Sequence, residues 1–242
     1  MLSLLLIAQT VLTVFAAASL HNAFPALGKQ FEAAHPGVTL RFSFNGSQIL
    51  EAQLESGAQA DVFASADERW MDKAVSAGAV ANPVAFASNQ LVLVVAQQSN
   101  IASPLDLTKP GTKLVLCAQA VPCGAYARRL LAGMDADPAY GPKYSDAVLQ
   151  NIVSNELDVE SVLSKVTLGE ADAGIVYRTD ALGKTSVRTI ALPVLPGTPI
   201  AYYVGTVHSS AAPSDATAFV NFVHSSDGQK ILAGFGFTAA PQ

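Results

Sequence analysis

The sequence predicts an α/β protein with mostly parallel sheets flanked by helices. Two observations carry this prediction. Short apolar runs alternate with amphipathic segments along the chain, and no low-complexity linker interrupts the alternation. Of the 242 residues, 50% are hydrophobic and 14% are charged, which is typical of a folded globule with buried strands. The length allows either one large domain or two modest lobes.

In the first half of the chain, apolar runs lead through small or polar residues into amphipathic segments. The predicted elements, in order, are a strand at 12–16, a helix at 24–34, a strand at 38–43, a helix at 48–55, a strand at 61–64 and a helix at 68–75. His35-Pro36-Gly37 ends the first of these helices. This half therefore reads as repeated strand–turn–helix units.

The second half opens on an apolar strand at 90–96 that contains no charged residue. Such a run, buried on both faces, fits a central strand and a crossing between lobes. The elements predicted after it are a strand at 113–117, a helix at 124–132, a shorter element at 147–153, a helix at 159–168, strands at 173–177 and 200–205, and a closing helix at 216–232. The predicted division is residues 11–88 with 201–242 for one lobe and 89–200 for the other.

Ligands of such sheets lie outside the carboxyl ends of the strands, where helices begin. Ser19, Ser47 and Cys123 stand at three of these turns, Val159 opens a fourth helix, and Tyr177 ends a strand. A helix N-terminus offers unpaired N–H groups and about half a positive charge, so several aimed at one point favour an anion. Each residue also has a purely structural interpretation, as a helix cap or a packing residue. The residues alone therefore predict a binder of a small anion or an enzyme on the same scaffold.

The net charge and the two cysteines limit which partners and which kinds of site are expected. A net charge of −5 without a basic run argues against a nucleic-acid or anionic-membrane partner. Cys117 and Cys123 lie close together, and in an oxidising compartment a disulfide between them is the leading interpretation. Their spacing is not that of a C-x-x-C site, and the four histidines form no ligand pattern with them. No site for a bare metal cation is predicted.

Residues 1–10 begin with an apolar run of about the length of a signal-peptide core, too short to span a bilayer. We interpret this segment as the remnant of a signal peptide, which predicts export. The alternative is an ordinary first strand. No other stretch has the pattern of a membrane span, so the mature protein is expected to be soluble.

Four segments, in order along almost the whole chain, resemble the periplasmic molybdate-binding proteins of ABC importers. They are Thr13-Val-Phe-Ala-Ala-Ala-Ser19-Leu-His-Asn-Ala23, residues 57–72 with Asp61-Val-Phe-Ala-Ser-Ala-Asp67, Val121-Pro-Cys-Gly-Ala-Tyr-Ala127, and Gly174-Ile-Val-Tyr177-Arg-Thr-Asp180-Ala181. The closing Phe235-Gly-Phe-Thr238 is also similar. The resemblance implies the two-lobed type II periplasmic-binding fold, with the ligand in the cleft between the lobes.

The same resemblance implies what each site residue does. Ser19 and Ser47 would donate from hydroxyl and backbone N–H, Cys123 and Val159 from backbone N–H, and Tyr177 from its phenol. The implied ligand is molybdate or tungstate, so that molybdenum is bound as the oxyanion. The implied protein is a periplasmic monomer that has no cofactor and no catalytic residue and that delivers its ligand to a membrane permease.

Two alternatives stay open at this point. One is a binder of another oxyanion such as sulfate or phosphate. A carboxylate ligand fits less well because no arginine is adjacent to these donors. The other is a hydrolase with Ser47 or Cys123 as nucleophile, although no G-x-S-x-G motif surrounds the serines and no histidine is placed as an evident base.

Overall fold

A computed structural model describes residues 9–194 and 199–241, which form two five-stranded sheets with flanking helices. The strands are β1 (Thr10–Ala17), β2 (Val38–Asn45), β3 (Val62–Ser65), β4 (Val80–Asn89), β5 (Leu91–Ala96), β6 (Leu114–Cys117), β7 (Ile152–Glu156), β8 (Ala173–Tyr177), β9 (Val187–Ala191) and β10 (Ile200–Val207). The α-helices are α1 (Phe24–Ala34), α2 (Ser47–Glu55), α3 (Glu68–Ser76), α4 (Pro122–Met134), α5 (Tyr144–Leu149), α6 (Val159–Thr167), α7 (Arg178–Ala181), α8 (Pro213–His224) and α9 (Ser226–Gly234).

The two sheets have the strand orders β2-β1-β3-β10-β4 and β7-β6-β8-β5-β9. In the first, β1 runs parallel to β2 and β3, whereas β10 runs antiparallel to β3 and β4. In the second, β6 runs parallel to β7 and β8, whereas β5 runs antiparallel to β8 and β9. The predicted α/β class is confirmed, but the sheets are mixed rather than mostly parallel. The reason is that the strands at the two crossings, β4, β5, β9 and β10, make the antiparallel pairs.

The chain passes between the sheets twice. It leaves the first sheet at Asn89 and enters the second at Leu91, and it returns between Ala191 and Ile200. The predicted apolar crossing strand is β5, which is an inner strand and is buried over Leu91–Val95. These crossings fall beside the lobe boundaries expected at 88–89 and 200–201, which remain a prediction.

One continuous apolar cluster extends through both lobes, and its part in the first lobe contains several aromatic side chains. Phe219 of α8 packs edge to face against Phe24 and Phe31 of α1, with ring centroids 6.2 Å and 5.3 Å apart. All three rings are fully buried. Burial of such side chains supplies much of the stability of a domain and fixes α1 and α8 against the sheet.

Several elements differ from the sequence prediction. The strands β4 and β9 were not predicted, and both are edge strands with partly exposed residues. Pro83 is tolerated in β4 because an edge strand leaves N–H positions unpaired. The element predicted at 147–153 is the end of α5 followed by β7. The closing helix is two helices, because Ser225 is extended and its hydroxyl caps α9 through the Gly228 N–H at 3.1 Å.

The first described residues overlap the end of the segment predicted as a signal-peptide remnant. Residues 1–8 lie outside the described residues. Thr10 belongs to β1 and pairs with Val38, so the last residue of the predicted segment is part of the first sheet. Within 9–194 and 199–241, the helices are all too short or too polar to cross a membrane.

Candidate functional site

All five residues predicted for the site line one small cavity between the two sheets. They are Ser19 and Ser47 from the first lobe, and Cys123, Val159 and Tyr177 from the second. Each is at least 97% buried, since none exposes more than 3% of its surface. The remaining wall consists of Ala17, Ala18, Gly46, Ala66, Val121, Pro122 and Asp158. The structure therefore brings together residues that are far apart in the sequence.

The strand ends of both lobes supply this wall. In the first lobe, β1 ends at Ala17 and a single 3₁₀ turn follows that contains Ser19, and Gly46 leads from β2 into α2. In the second lobe, β8 ends at Tyr177, and the helices α4 and α6 begin beside the cavity. The carboxyl ends of the parallel strands in both sheets thus face one point, as expected for ligand sites in such folds.

The two serine hydroxyls do not cap helices. Ser47 is the first residue of α2, behind the N-cap Gly46, and its Oγ accepts a 3.1 Å hydrogen bond from the Ala66 N–H. That bond leaves the hydroxyl proton of Ser47 available to a further acceptor. Ser19 Oγ lies 2.9 Å from the hydroxyl oxygen of Tyr202. The interpretation of these serines as simple caps is therefore wrong.

The phenol of Tyr177 is buried, and its hydroxyl has no hydrogen-bond partner among the described residues. Burial raises the pKa of this phenol well above its usual value, so the hydroxyl keeps its proton. A buried donor without a partner costs about 1–3 kcal/mol. An acceptor bound in the cavity would remove that cost.

Three helices direct backbone donors toward the cavity. Ser47 and Val159 are the first residues of α2 and α6, and Cys123 is the second residue of α4. The N–H groups of a first helical turn have no acceptor within their own helix. They also carry the positive end of the helix dipole. The site can therefore offer several neutral donors to one anion.

The charges around the cavity are few. No described residue of its wall is cationic, and the one acid, Asp158, accepts hydrogen bonds from the Ser161 N–H and hydroxyl at 2.8 Å and 3.0 Å. Arg128 lies behind the wall, where its guanidinium donates to the carbonyls of Cys117 and Gly124 at 2.7 Å and 3.1 Å. Arg128 thereby holds the start of α4, a role that its position in a helix did not suggest.

The expected disulfide is absent from the structure. Cys117 and Cys123 are both free, buried thiols. The Cys123 thiol instead donates a 3.5 Å hydrogen bond to the carbonyl of Ile175 in β8. Burial raises the pKa of Cys123 well above its usual value, which makes it a poor nucleophile. Among the described hydrogen bonds, none joins a histidine to Ser47 or Cys123, so the geometry gives no support to a hydrolase.

The lobes close tightly on this cavity. Its volume is about 10 Å³, close to the smallest that admits one water molecule. Gln48 donates across the cleft to the carbonyl of Leu157 at 2.8 Å, and His21 Nδ1 lies 3.2 Å from Glu160 Oε1. A four-oxygen anion needs more room, so the lobes must part slightly to bind one. A larger cavity of about 170 Å³ lies beside the crossing strands, away from the converging donors.

Gly46 is required because the two lobes approach each other closely at this position. A Cβ atom at this position would overlap the carbonyl oxygen of Leu157 in the opposite lobe and the side chain of Gln48.

Within the described residues, no group of three or more His, Cys, Asp or Glu side chains is placed to hold a metal ion. The arrangement is that of a closed cleft lined by hydrogen-bond donors.

Two further residues contribute to the site, although the sequence pattern does not single them out. Ala66 contributes a wall of the cavity and the N–H that fixes Ser47. Tyr202 is fully buried, and its hydroxyl contacts both Ser19 and the side-chain amide of Asn89, the latter at 3.3 Å. The only sequence signal was the tyrosine pair at 202–203 in an otherwise apolar strand.

Comparison with known proteins agrees with this architecture. The family described as bacterial extracellular solute-binding proteins matches residues 12–238. The chain belongs to this family. Its relatives include the molybdate-binding protein ModA of Mycobacterium tuberculosis H37Rv, which is 42% identical over 230 residues, covering 93% of this chain and 84% of ModA. Membership places the chain in a family of binding proteins.

Two solved structures show the same fold. The periplasmic molybdate-binding protein of Azotobacter vinelandii has a TM-score of 0.79 at 21% identity, covering 96% of this chain and all of that one. The sulfate-binding protein SubI of M. tuberculosis has a TM-score of 0.83 at 22% identity, covering 96% of this chain and 87% of SubI. The expected two-lobed type II fold is confirmed. At these identities the likeness concerns the fold alone and does not choose between ligands.

Proposed function

We propose that this chain binds molybdate or tungstate in the cavity between its lobes and delivers it to an ABC import permease. The observation that carries the proposal is the hydroxyl of Tyr177, a buried donor without a partner among the described residues, in a cavity lined by further donors. The relative with 42% identity over most of the chain is named a molybdate-binding protein, which supports the choice of ligand.

Each predicted site residue would supply neutral donors. Ser19 and Ser47 would donate from hydroxyl and backbone N–H, Cys123 and Val159 from backbone N–H, and Tyr177 from its phenol. A fully ionised tetrahedral oxyanion only accepts hydrogen bonds, so a set of donors fits it and rejects protonated relatives that must also donate. Neutral donors leave no unpaired cation in the closed, ligand-free cleft, where it would cost several kcal/mol.

Cavity size would supply the second part of the selectivity. Apart from the Tyr177 ring, the walls are backbone turns and short side chains, so the donors are fixed in place by the two sheets. The ligand can leave, and water can reach these donors, only after the lobes part. The affinity therefore depends on how strongly the closed arrangement of the lobes is favoured. We therefore expect tight binding of an anion that all the donors reach together and weak binding of a smaller one.

Calorimetric titration with molybdate, tungstate, sulfate and phosphate tests the proposal. We expect tight binding of the first two and none of the others at the same concentrations. Equal affinity for sulfate would refute the selectivity for molybdate and tungstate. If no oxyanion bound and a chromogenic ester were hydrolysed, the enzyme alternative would replace the proposal.

The setting of this function is also inferred. The family consists of extracellular solute-binding proteins, so we infer that the chain is exported, acts in the periplasm without a cofactor and meets its permease there. We further infer that it acts as a monomer. Fractionation of cells and size-exclusion chromatography with light scattering test these two inferences.

A further inference from the structure

We propose that Arg69 and Trp70 form a latch that holds the lobes closed and slows release of the ligand. Both belong to the first turn of α3 in the first lobe. The Arg69 guanidinium donates to the carbonyl of Ala120 in the second lobe at 2.7 Å, and the Trp70 indole N–H donates to the same carbonyl at 2.8 Å. Neither residue lines the cavity, so both would act on the ligand only indirectly, by holding the two lobes together.

The first lobe holds the two donors as one unit. Asp67, which is buried, caps α3 by accepting the Trp70 backbone N–H at 3.1 Å, and its other oxygen lies 3.5 Å from the Arg69 guanidinium. The guanidinium also stacks over the indole ring, 4.8 Å from its centroid. Because both side chains are held by these contacts, little conformational entropy is lost when they meet the carbonyl.

Both ends of the latch are joined directly to the cavity wall. On one side, Ala66 precedes the cap Asp67 and lines the cavity. On the other side, Ala120 precedes Val121 and Pro122, which also line it, and its turn is closed by the Val121 N–H donating to Ala118 at 2.9 Å. Full opening of the cleft would therefore break both hydrogen bonds to Ala120, whereas the slight widening that admits the ligand need not.

This inference rests on the proposed function for the identity of the ligand. It adds an expectation about the rates of binding and release. Contacts that exist only when the lobes are closed slow the opening step, and they leave the encounter of ligand with the open cleft unchanged. Loss of the latch should therefore raise the dissociation rate and should not lower the association rate.

Kinetic calorimetry with molybdate, which needs no fluorophore, tests the claim on Trp70→Phe and Arg69→Met. We expect the dissociation rate to rise about fivefold in each variant, with an association rate no lower than that of wild type. Arg188→Met is the matched control, because Arg188 donates to the carbonyls of Ser99 and Ile101 within the second lobe. The control should keep the wild-type dissociation rate.

A second measurement needs no ligand. X-ray scattering of the ligand-free protein should give a larger radius of gyration for the double variant Arg69→Met and Trp70→Phe than for the wild type and Arg188→Met. Unchanged dissociation rates, or a loss confined to the association rate, would overturn the latch. If wild type failed to bind molybdate, the proposed function would fall and the scattering result would decide the latch, with an unchanged radius rejecting it.

Discussion

The rings of Tyr177 and Tyr202 pack edge to face with their centroids 5.7 Å apart, but their hydroxyls differ in hydrogen bonding. The Tyr202 hydroxyl contacts Ser19 and Asn89. The Tyr177 hydroxyl has no partner among the described residues. Both phenols are fully buried. The protein itself satisfies the Tyr202 hydroxyl, whereas we propose that the Tyr177 hydroxyl binds the ligand.

Tyr177→Phe should therefore weaken molybdate binding without destabilising the ligand-free protein. Removal of an unpaired buried hydroxyl is expected to leave the free energy of unfolding unchanged or to raise it by about 1 kcal/mol. Loss of one donor to the anion should raise the dissociation constant about tenfold or more. Urea denaturation and calorimetric titration measure the two effects.

Tyr202→Phe is the matched control for that prediction. It removes a hydroxyl that is bonded to Ser19 and Asn89, so it should lower the free energy of unfolding by about 1–2 kcal/mol. If Tyr177→Phe destabilised the ligand-free protein as much as Tyr202→Phe does, the phenol of Tyr177 would have a structural partner and its assignment as a ligand donor would be wrong.

Gly46→Ala should impair closure of the lobes. The added methyl group would overlap the Leu157 carbonyl of the opposite lobe, and overpacking of this kind costs about 1–3 kcal/mol. We expect the dissociation constant for molybdate to rise about tenfold or more. Gly234→Ala is the control, because a Cβ there meets no atom within 4 Å. Equal affinities of the two variants would contradict the prediction.

Asp180 should make stability depend on pH in an unusual direction. It is fully buried, and desolvation together with the charge of Glu160 raises its pKa well above the usual value. The folded state therefore binds this proton more tightly than the unfolded state does. Its contribution to stability is fully present below about pH 4, the pKa of an unfolded aspartate, and is lost as pH rises through the folded pKa.

Asp180→Asn should remove that dependence, so that unfolding free energies measured from acidic to alkaline pH decline less than in wild type.

Asp106 is the opposite case, because Lys109 and the N–H groups of Ala102 and Ser103 lower its pKa to about 2. Asp106→Asn should lose stability above about pH 4 and match wild type near pH 2. A decline in Asp180→Asn as steep as in wild type would show that another group is responsible.

The two cysteines should behave as reduced, inaccessible thiols. Both are buried, and the Cys123 thiol is bonded to the Ile175 carbonyl. A chromogenic thiol reagent should react slowly with the native protein and detect two thiols after denaturation without reductant. Molybdate affinity should not change when reductant is added. Detection of thiols only after reduction would show that a disulfide forms.

Much of the fold could be predicted because hydrophobic periodicity is local. The strands at 12–16, 38–43 and 173–177 and the capped helix at 68–75 all occur close to their predicted bounds. Edge strands were harder. In β9, exposed and partly exposed residues such as Arg188 interrupt the apolar pattern, and β4 contains Pro83, which normally argues against a strand.

The candidate site was also predictable in part. Ser19, Ser47 and Tyr177 follow strand ends, and the resemblance to a family selected them, together with Cys123 and Val159, from many similar turns. Their meeting at one cavity is what the tertiary structure adds. Tyr202 and Ala66 were missed because their neighbours in space, Ser19 and Ser47, are far away in the sequence.

By itself, the sequence determined the α/β class, the order of most elements and the residue types offered to a ligand, because these depend on neighbours along the chain. Only the tertiary structure decided that the sheets are mixed, that Cys117 and Cys123 are free thiols, and that Arg69 and Trp70 meet Ala120. The physical reason is that strand direction, side-chain partners and lobe closure are set by contacts between segments that the chain brings together only when it folds.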